Sequence, residues 1–469
     1  MVFSSSIFLF CFLPITLAVY YITPYKIKNY VLLVASLIFY WWGEPKFVLV
    51  MLTSIVVNYV FGLAIGMKNS YQKVFLILAI TINLGLLFVF KYLDFAITNI
   101  NLVANLHIPL REIALPIGIS FFTFQSLSYI VDLYRGEIKV QKNIFKLALY
   151  IAMFPQLIAG PIVRYQTICD EIDERVVSIE NLGNGVRRFI CGLAKKVLLA
   201  NVLGEMVDVI FSIDPHESTA ATLWIGAIAY TLQIFFDFSG YSDMAIGLGE
   251  MLGFHFCENF NQPYRATSIA DFWRRWHMSL STFFRDYVYF PLGGSRKGNV
   301  YINLAIVFLL TGIWHGASWT FIIWGVWHGI FRIFEYWDKK HINILEKMPK
   351  CFGYIITMLI VTLGWVLFRA DNIGYAIIYI KGMFGMIEIH DVGYTWRFFL
   401  TNQRIFFMIV AIVISLVSKD SIQLFMKSLN KKCRVAVEYA KNICILGMLL
   451  VCVLYVVSST YNPFLYFRF

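Results

Sequence analysis

Residues 353–368 read GYIITMLIVTLGWVLF, sixteen positions with no charge and apolar on every side of a helical wheel. Lipid offers no partner to an unpaired backbone group, so a segment apolar on all faces suits a helix inside a bilayer. A transmembrane β-barrel would instead alternate apolar and polar residues in segments of about ten. Comparable stretches lie at 3–22, 30–42, 46–66, 73–98, 143–162, 220–238, 300–335, 403–418 and 443–460, with 300–335 long enough to cross twice. The whole chain agrees with these windows: its 469 residues are 59% hydrophobic and 14% charged, with a mean hydropathy of +0.70. An ordinary soluble domain is roughly 45–50% apolar and 25% charged. A soluble or disordered chain is excluded, and the sequence predicts an all-α polytopic membrane protein. At roughly 20 residues per span, there is room for about ten to twelve crossings.

The charge balance, 39 Lys and Arg against 28 Asp and Glu for a net +11, would suggest nucleic acid in a soluble protein. No basic groove interleaved with aromatics supports that, and no nucleic-acid partner is expected. Positive charge gathers in the cytoplasmic loops of membrane proteins. Residues 419–441 carry Lys419, Lys427, Lys431, Lys432, Arg434 and Lys441 against two acids, whereas 371–402 carry Lys381 and Arg397 against three. The first loop is therefore predicted to be cytoplasmic and the second external. No Lys or Arg precedes the apolar stretch 3–22, and the first positives, Lys26 and Lys28, follow it. A cleavable signal peptide would carry its charge in front, so this stretch reads as a retained helix, with both termini predicted outside. The eight Cys stand singly, without CxxC or metal spacing, and read as buried apolar residues.

Three regions follow from this pattern: N-terminal helices over 1–112, a core over 113–335 and C-terminal helices over 336–469. The core is irregular. Leu115-Pro116-Ile117-Gly118 opens one segment, and Pro155, Gly160 and Pro161 interrupt another. Helix breakers at membrane depth are tolerated where the chain is packed in protein or lines a cavity, so these segments are expected to enter and leave the bilayer without crossing. Residues 257–299 mix Arg274, Arg275, Arg285 and Asp286 with Trp273, Trp276, Phe283 and Phe284, a composition suited to interfacial helices.

Ionisable residues within apolar spans are functional candidates. His315, in Thr311-Gly312-Ile313-Trp314-His315-Gly316-Ala317, follows the uncharged run 300–310. A neutral imidazole there can take a proton from an acceptor hydroxyl and return it to a leaving group; a histidine hydrogen-bonded between helices would look the same. His328 lies 13 residues on, about 220° around a continuous helix, so it should not share His315's face, and a structural role is favoured. In Asp271-Phe272-Trp273-Arg274-Arg275-Trp276-His277-Met278-Ser279-Leu280-Ser281, helical spacing would align Trp273, Arg274, His277 and Ser281. That face suits a polar or anionic group, and it equally suits an amphipathic helix at headgroup level. Asp237, Ser239 and Asp243 end an apolar stretch; the two carboxylates could orient a histidine or a hydroxyl, or cap a broken helix. HExxH, GxSxG, Walker A and strand-linked GxGxxG motifs are absent, and no metal is expected.

Taken together, Pro263-Tyr264-Arg265-Ala266, the Asp271–Ser281 run, Phe284-Arg285-Asp286-Tyr287, Pro291-Leu292-Gly293-Gly294 and Gly312–Ala317 resemble the signature of the membrane-bound O-acyltransferases (MBOAT), in particular the alginate O-acetylation branch. Leu115–Phe121, Phe154–Ile162 and Asp237–Asp243 match as well. The resemblance implies a helical dish of about eleven spans, with re-entrant and interfacial helices around a central tunnel in a bacterial cytoplasmic (inner) membrane. It implies that His315 is the essential histidine and His277 a second functional one, with Asp237, Ser239, Asp243, Trp273, Arg274, Trp276, Ser281 and Trp314 lining the tunnel or contacting substrate. It further implies acetyl-CoA as the cytoplasmic donor, an extracytoplasmic partner of SGNH-hydrolase type, and a surface polysaccharide as final acceptor. D-Alanyl transfer to teichoic acid, O-acetylation of peptidoglycan and transport without chemistry are the alternatives.

Overall fold

The computed structural model describes residues 1–459, 461–463 and 465, and among these every regular element is helical. In chain order the principal helices are α1 (Val48–Gly66), α2 (Gln72–Lys91), α3 (Ile119–Arg135), α4 (Ile179–Ala194), α5 (Asn201–Ser212), α6 (Ala220–Met251), α7 (Ile269–Arg275), α8 (Met278–Phe284), α9 (Val300–His315), α10 (Trp319–His341), α11 (Lys350–Arg369), α12 (Asn402–Leu416) and α13 (Lys431–Ser458). Five of them, α1, α2, α6, α11 and α13, are long and apolar enough to cross a membrane, and shorter apolar helices include Phe8–Ile22, Leu93–Ala104, α9 and α12. The stretch 73–98 is divided at Tyr92 into α2 and Leu93–Ala104. The apolar window of α6 is 78% buried and that of α13 only 11%, so α6 is a core helix and α13 presents its side chains outward, as a lipid-facing helix does.

The chain packs as two compact units, Met1–Phe189 with Met244–Cys257, and Ile190–Asp243 with Glu258–Phe469. In the first unit, the two interrupted segments meet. Gly118 sits at φ +78°, and a Cβ there would lie 2.6 Å from the Leu157 carbonyl oxygen, so glycine is needed both for its backbone and for the close approach. Side chains satisfy the backbone groups that the breaks leave free: Ser36 Oγ accepts from Phe154 N–H (3.1 Å), Gln156 donates to the Tyr150 carbonyl (2.5 Å), and Tyr150 donates to that of Val163 (3.0 Å). The breakers are thus packed in protein, the condition under which broken helices persist at membrane depth.

In the second unit, α9 and α10 form a tight hairpin. Asn299 caps α9 by accepting from Tyr301 and Ile302 N–H, and Ser318 caps α10 by accepting from Thr320 N–H. Between the two helices, Gly316 is fully extended. A Cβ on Gly312 would lie 2.5 Å from the Phe321 carbonyl oxygen, and one on Gly325 2.4 Å from that of Phe308; the paired glycines let the two backbones touch. The α6 helix runs unbroken past Asp237, Ser239 and Asp243 to Met251. This corrects the expectation of a helix ending near 238, and the two aspartates are mid-helix residues that cap nothing.

Candidate active site

The site lies within the second unit. Two short helices, α7 and α8, are joined at Trp276–His277 by a sharp change of backbone direction: His277 occupies the left-handed region at φ +44° and serves as the N-cap position of α8. Ser268 caps α7 by accepting from Asp271 N–H (3.0 Å), while the Glu335 carboxylate of α10 accepts from Ile269 N–H and from Ala270 N–H, the latter at 2.8 Å. A carboxylate at a helix N-terminus is favoured both by the free N–H groups and by the helix dipole.

His277 is fully buried. Its ring stands edge-on to Phe238 of α6 (centroids 4.7 Å, 87°) and lies 5.8 Å from the Trp314 indole of α9. Nδ1 is 3.0 Å from Asn259 Oδ1. Burial alone pushes the imidazole down to about 3, so it is neutral at physiological pH.

His315 is the last residue of α9 and is buried. Its ring lies 5.0 Å from Trp314, 5.0 Å from Trp324 and 5.2 Å from Phe368, all edge-on. One indole, Trp314, therefore contacts both histidines. His328 also touches Trp324 (5.1 Å), so the reversal at Gly316–Ser318 brings to one indole two histidines that a continuous helix would have separated. His328 is otherwise held by Phe272 and Trp273, with Nε2 2.9 Å from where a Gly364 Cβ would sit. Enclosed on these sides, it reads as a packing residue.

The remaining candidates divide. Trp273, Trp276 and Trp314 are buried in the aromatic cluster; Trp276 lies 4.8 Å from Trp365 and 5.1 Å from Phe260. Ser281 Oγ donates to the Trp273 carbonyl (3.1 Å), tying α8 to α7. Arg274 departs from the expectation: α7 ends at Arg275, so Trp273, Arg274 and His277 share no helical face. Its side chain is 72% exposed and pairs with Asp271 at 3.6 Å, outside the aromatic cluster.

Asp237 and Asp243 are each matched with a lysine from the π-helical turn Lys195–Ala200. Lys196 Nζ meets Asp237 at 2.5 Å, both side chains almost wholly buried, and Lys195 meets Asp243 at 2.6 Å. A buried charge needs such a partner. The Lys196–Asp237 pair also receives the chain's C-terminal stretch: Lys196 donates to the Pro463 carbonyl and Leu465 N–H to Asp237 (3.1 Å), while Tyr461 donates to Asp208 of α5 (2.6 Å). Ser239, Ser242 and Asp243 line a cavity of about 310 Å³ together with Lys195, Asn259 and Phe260.

Residues that sequence reasoning did not single out are Asn259, Lys196, Trp324 and Phe368. Lys196 carried a usable signal, a charge within an apolar segment. The other three act through contacts made by chain reversals, which spacing does not encode. Among the described residues, no cluster of three His, Cys, Asp or Glu has a metal-binding arrangement.

A chain whose described regular elements are all helical, with membrane-length apolar helices and two buried histidines around a shared indole, has the makings of a membrane enzyme of group transfer. Residues 37–377 match the membrane-bound O-acyltransferase family, and the chain belongs to it. Within that family, it is 44% identical over 385 residues to the probable alginate O-acetylase AlgI of Pseudomonas aeruginosa, covering 80% of this chain and 73% of that protein. It is 34% identical to the peptidoglycan O-acetyltransferase of Helicobacter pylori, covering 100% of this chain and 98% of that protein. Similarity to the teichoic acid D-alanyltransferase of Bacillus subtilis is 30% and spans 45% of this chain. The chain is thus a multi-pass membrane acyltransferase of the alginate O-acetylation branch.

Proposed function

We propose that this acyltransferase takes an acetyl group from cytoplasmic acetyl-CoA and passes it across the bacterial cytoplasmic membrane to an extracytoplasmic acceptor, through a partner of SGNH-hydrolase type, for O-acetylation of a cell-surface polysaccharide. The observation that carries this reading is the pairing of buried His277 and His315 on Trp314 in a chain 44% identical to an alginate O-acetylase. The acceptor oxygen attacks the thioester carbonyl carbon, forming the new C–O bond. His315 removes the hydroxyl proton as the attack proceeds, and the C–S bond then breaks. The same proton returns to the departing sulfur, so CoA leaves as the thiol and the histidine ends neutral. The surrounding indole and phenyl rings exclude water that would otherwise hydrolyse the thioester. Basic residues of the segment 419–441 would draw the anionic CoA toward the cytoplasmic face.

A second acceptor is favoured by one observation: the match to a peptidoglycan O-acetyltransferase extends over the whole chain, so peptidoglycan is the alternative final acceptor on the same chemistry. Full-length protein in proteoliposomes, supplied with labelled acetyl-CoA, should transfer label to an added acceptor. His315→Gln should abolish transfer at unchanged expression, and His277→Ala should reduce it by about tenfold or more. Full transfer by the His315 variant would remove that residue from the mechanism. A D-alanyl carrier protein replacing acetyl-CoA as donor would move the enzyme to the teichoic acid branch. In cells, comparing O-acetyl content of the surface polysaccharide with that of muropeptides distinguishes the two acceptors.

A further inference from the structure

Asn259 lies in the loop between α6 and α7, fully buried, and is bound to the His277 segment from both its backbone and its side chain. Its carbonyl accepts from Met278 N–H (2.9 Å), and its Oδ1 accepts from Ser279 N–H (3.3 Å) and from Ser279 Oγ–H (2.9 Å). A backbone N–H only donates, so the atom facing Ser279 is the amide oxygen and the orientation of the Asn259 amide is decided by its surroundings. The same oxygen lies 3.0 Å from His277 Nδ1. Two acceptors at that distance would repel, so Nδ1 carries the proton, with Ser279 Oγ beside it at 3.4 Å. In the neutral ring Nε2 is then the basic nitrogen, and it has no hydrogen-bond partner among the described residues.

We infer that Asn259 is a positioning residue of the acyltransferase site: it holds His277 in the Nδ1–H tautomer, which leaves Nε2 as the ring's hydrogen-bond acceptor. Asn259 also lines the 310 Å³ cavity beside Ser239 and Asp243. Oriented imidazoles in other enzymes depend on such an acceptor, and its loss leaves the ring in place with the wrong nitrogen presented. Among the described residues, the groups seen in contact with the His277 ring are uncharged: Phe238 from α6, Trp314 from α9, Asn259 and Ser279. The nearby charges of α6, Asp237 and Asp243, are paired with Lys196 and Lys195, and Glu258 is the charged neighbour of Asn259 on the cavity wall.

This inference rests on the proposed acetyl transfer, and the test is run on the full chain in proteoliposomes beside the wild type, His315→Gln and His277→Ala. Failure of the functional reading shows as no transfer by the wild type, whereas failure of the inference shows in the Asn259 variants alone. Asn259→Leu removes the acceptor and should lower kcat by about tenfold or more, with KM for acetyl-CoA changed by less than about threefold. Asn259→Asp keeps the acceptor and adds a charge that stabilises the imidazolium. It should retain most of the activity at neutral pH and move the acid limb of the pH–rate profile upward. Wild-type kcat in Asn259→Leu overturns the inference, as does Asn259→Asp falling to the level of the leucine variant. Where Asn259→Leu does not fold, Asn259→Asp decides: an upward move of the acid limb supports tautomer control, and an unmoved limb overturns it.

Discussion

His277 holds a backbone conformation, φ +44°, that a residue with a Cβ adopts only at a cost, about 1–2 kcal/mol. The hydrogen bonds from Met278 and Ser279 to Asn259 keep it there, and the consequence is chemical, since the turn aims the ring between Phe238 and Trp314. Burial depresses the folded-state pKa from 6.5 to about 3, which has a defined sign. Above pH 6.5 the ring is neutral in both folded and unfolded chains and contributes no pH dependence. As pH falls from 6.5 toward 3, the unfolded chain takes up a proton that the folded site refuses, and stability declines by at most about 1.4 kcal/mol per pH unit from this group. Unfolding midpoints in detergent across pH 4–7 should therefore fall less steeply for His277→Asn than for the wild type, and equal slopes would count against a buried neutral imidazole. His277 stands out as a candidate in its sequence context, and the structure buries it. Helical spacing does not place its neighbour Arg274, because the helix does not continue through His277, which turns left-handed.

Helix packing explains why His315 ends where it does. The α9–α10 hairpin closes on Gly312 and Gly325, and a methyl group at either would meet backbone oxygen, which cannot move aside as a side chain can. Gly312→Ala should cost about 1–3 kcal/mol, read as a lowered thermal unfolding temperature in detergent, together with reduced transfer as Trp324 is pushed off His315. Gly447→Ala, whose Cβ would meet nothing within 4 Å on α13, should show no such loss; equal destabilisation of both would mean that the hairpin contact is not what the glycine serves. The existence of apolar helices at 300–335 was readable from hydropathy. Hydropathy allows two crossings there but does not locate the reversal at Gly316–Ser318: on a continuous helix His315 and His328 stand apart, whereas the hairpin sets both on Trp324. The α6 helix erred in the opposite direction: polar residues Asp237, Ser239 and Asp243 read as an end, yet lysines from the adjoining turn neutralise both carboxylates and the helix continues.

Across the whole molecule, the contrast between the basic segment 419–441 and the acidic loop 371–402 predicts opposite sides of the membrane. In a background with the other cysteines replaced, exposed Cys433 should react with a membrane-impermeant maleimide only after permeabilisation. Asp391→Cys should react in intact spheroplasts, and the reverse pattern would invert the proposed topology. Orientation matters to function because it decides which face admits the donor thioester and which the acceptor hydroxyl.

By itself, the sequence determined that the chain is a helical membrane protein, that its interrupted segments must pack in protein or line a cavity, and that His277 and His315 stand in motifs resembling an acyltransferase signature. Composition and hydropathy carry the first of these because lipid imposes the same demand on every span: satisfy the backbone internally and present apolar atoms outside; the signature is a resemblance carried by the motifs themselves. Only the tertiary structure decided which groups meet. The indole shared by His277 and His315, the aspartates consumed by Lys195 and Lys196, and the amide of Asn259 on Nδ1 all join residues that are far apart along the chain or separated by a reversal. Those contacts depend on a left-handed residue, an extended glycine and two backbones in van der Waals contact, and helical periodicity contains none of these.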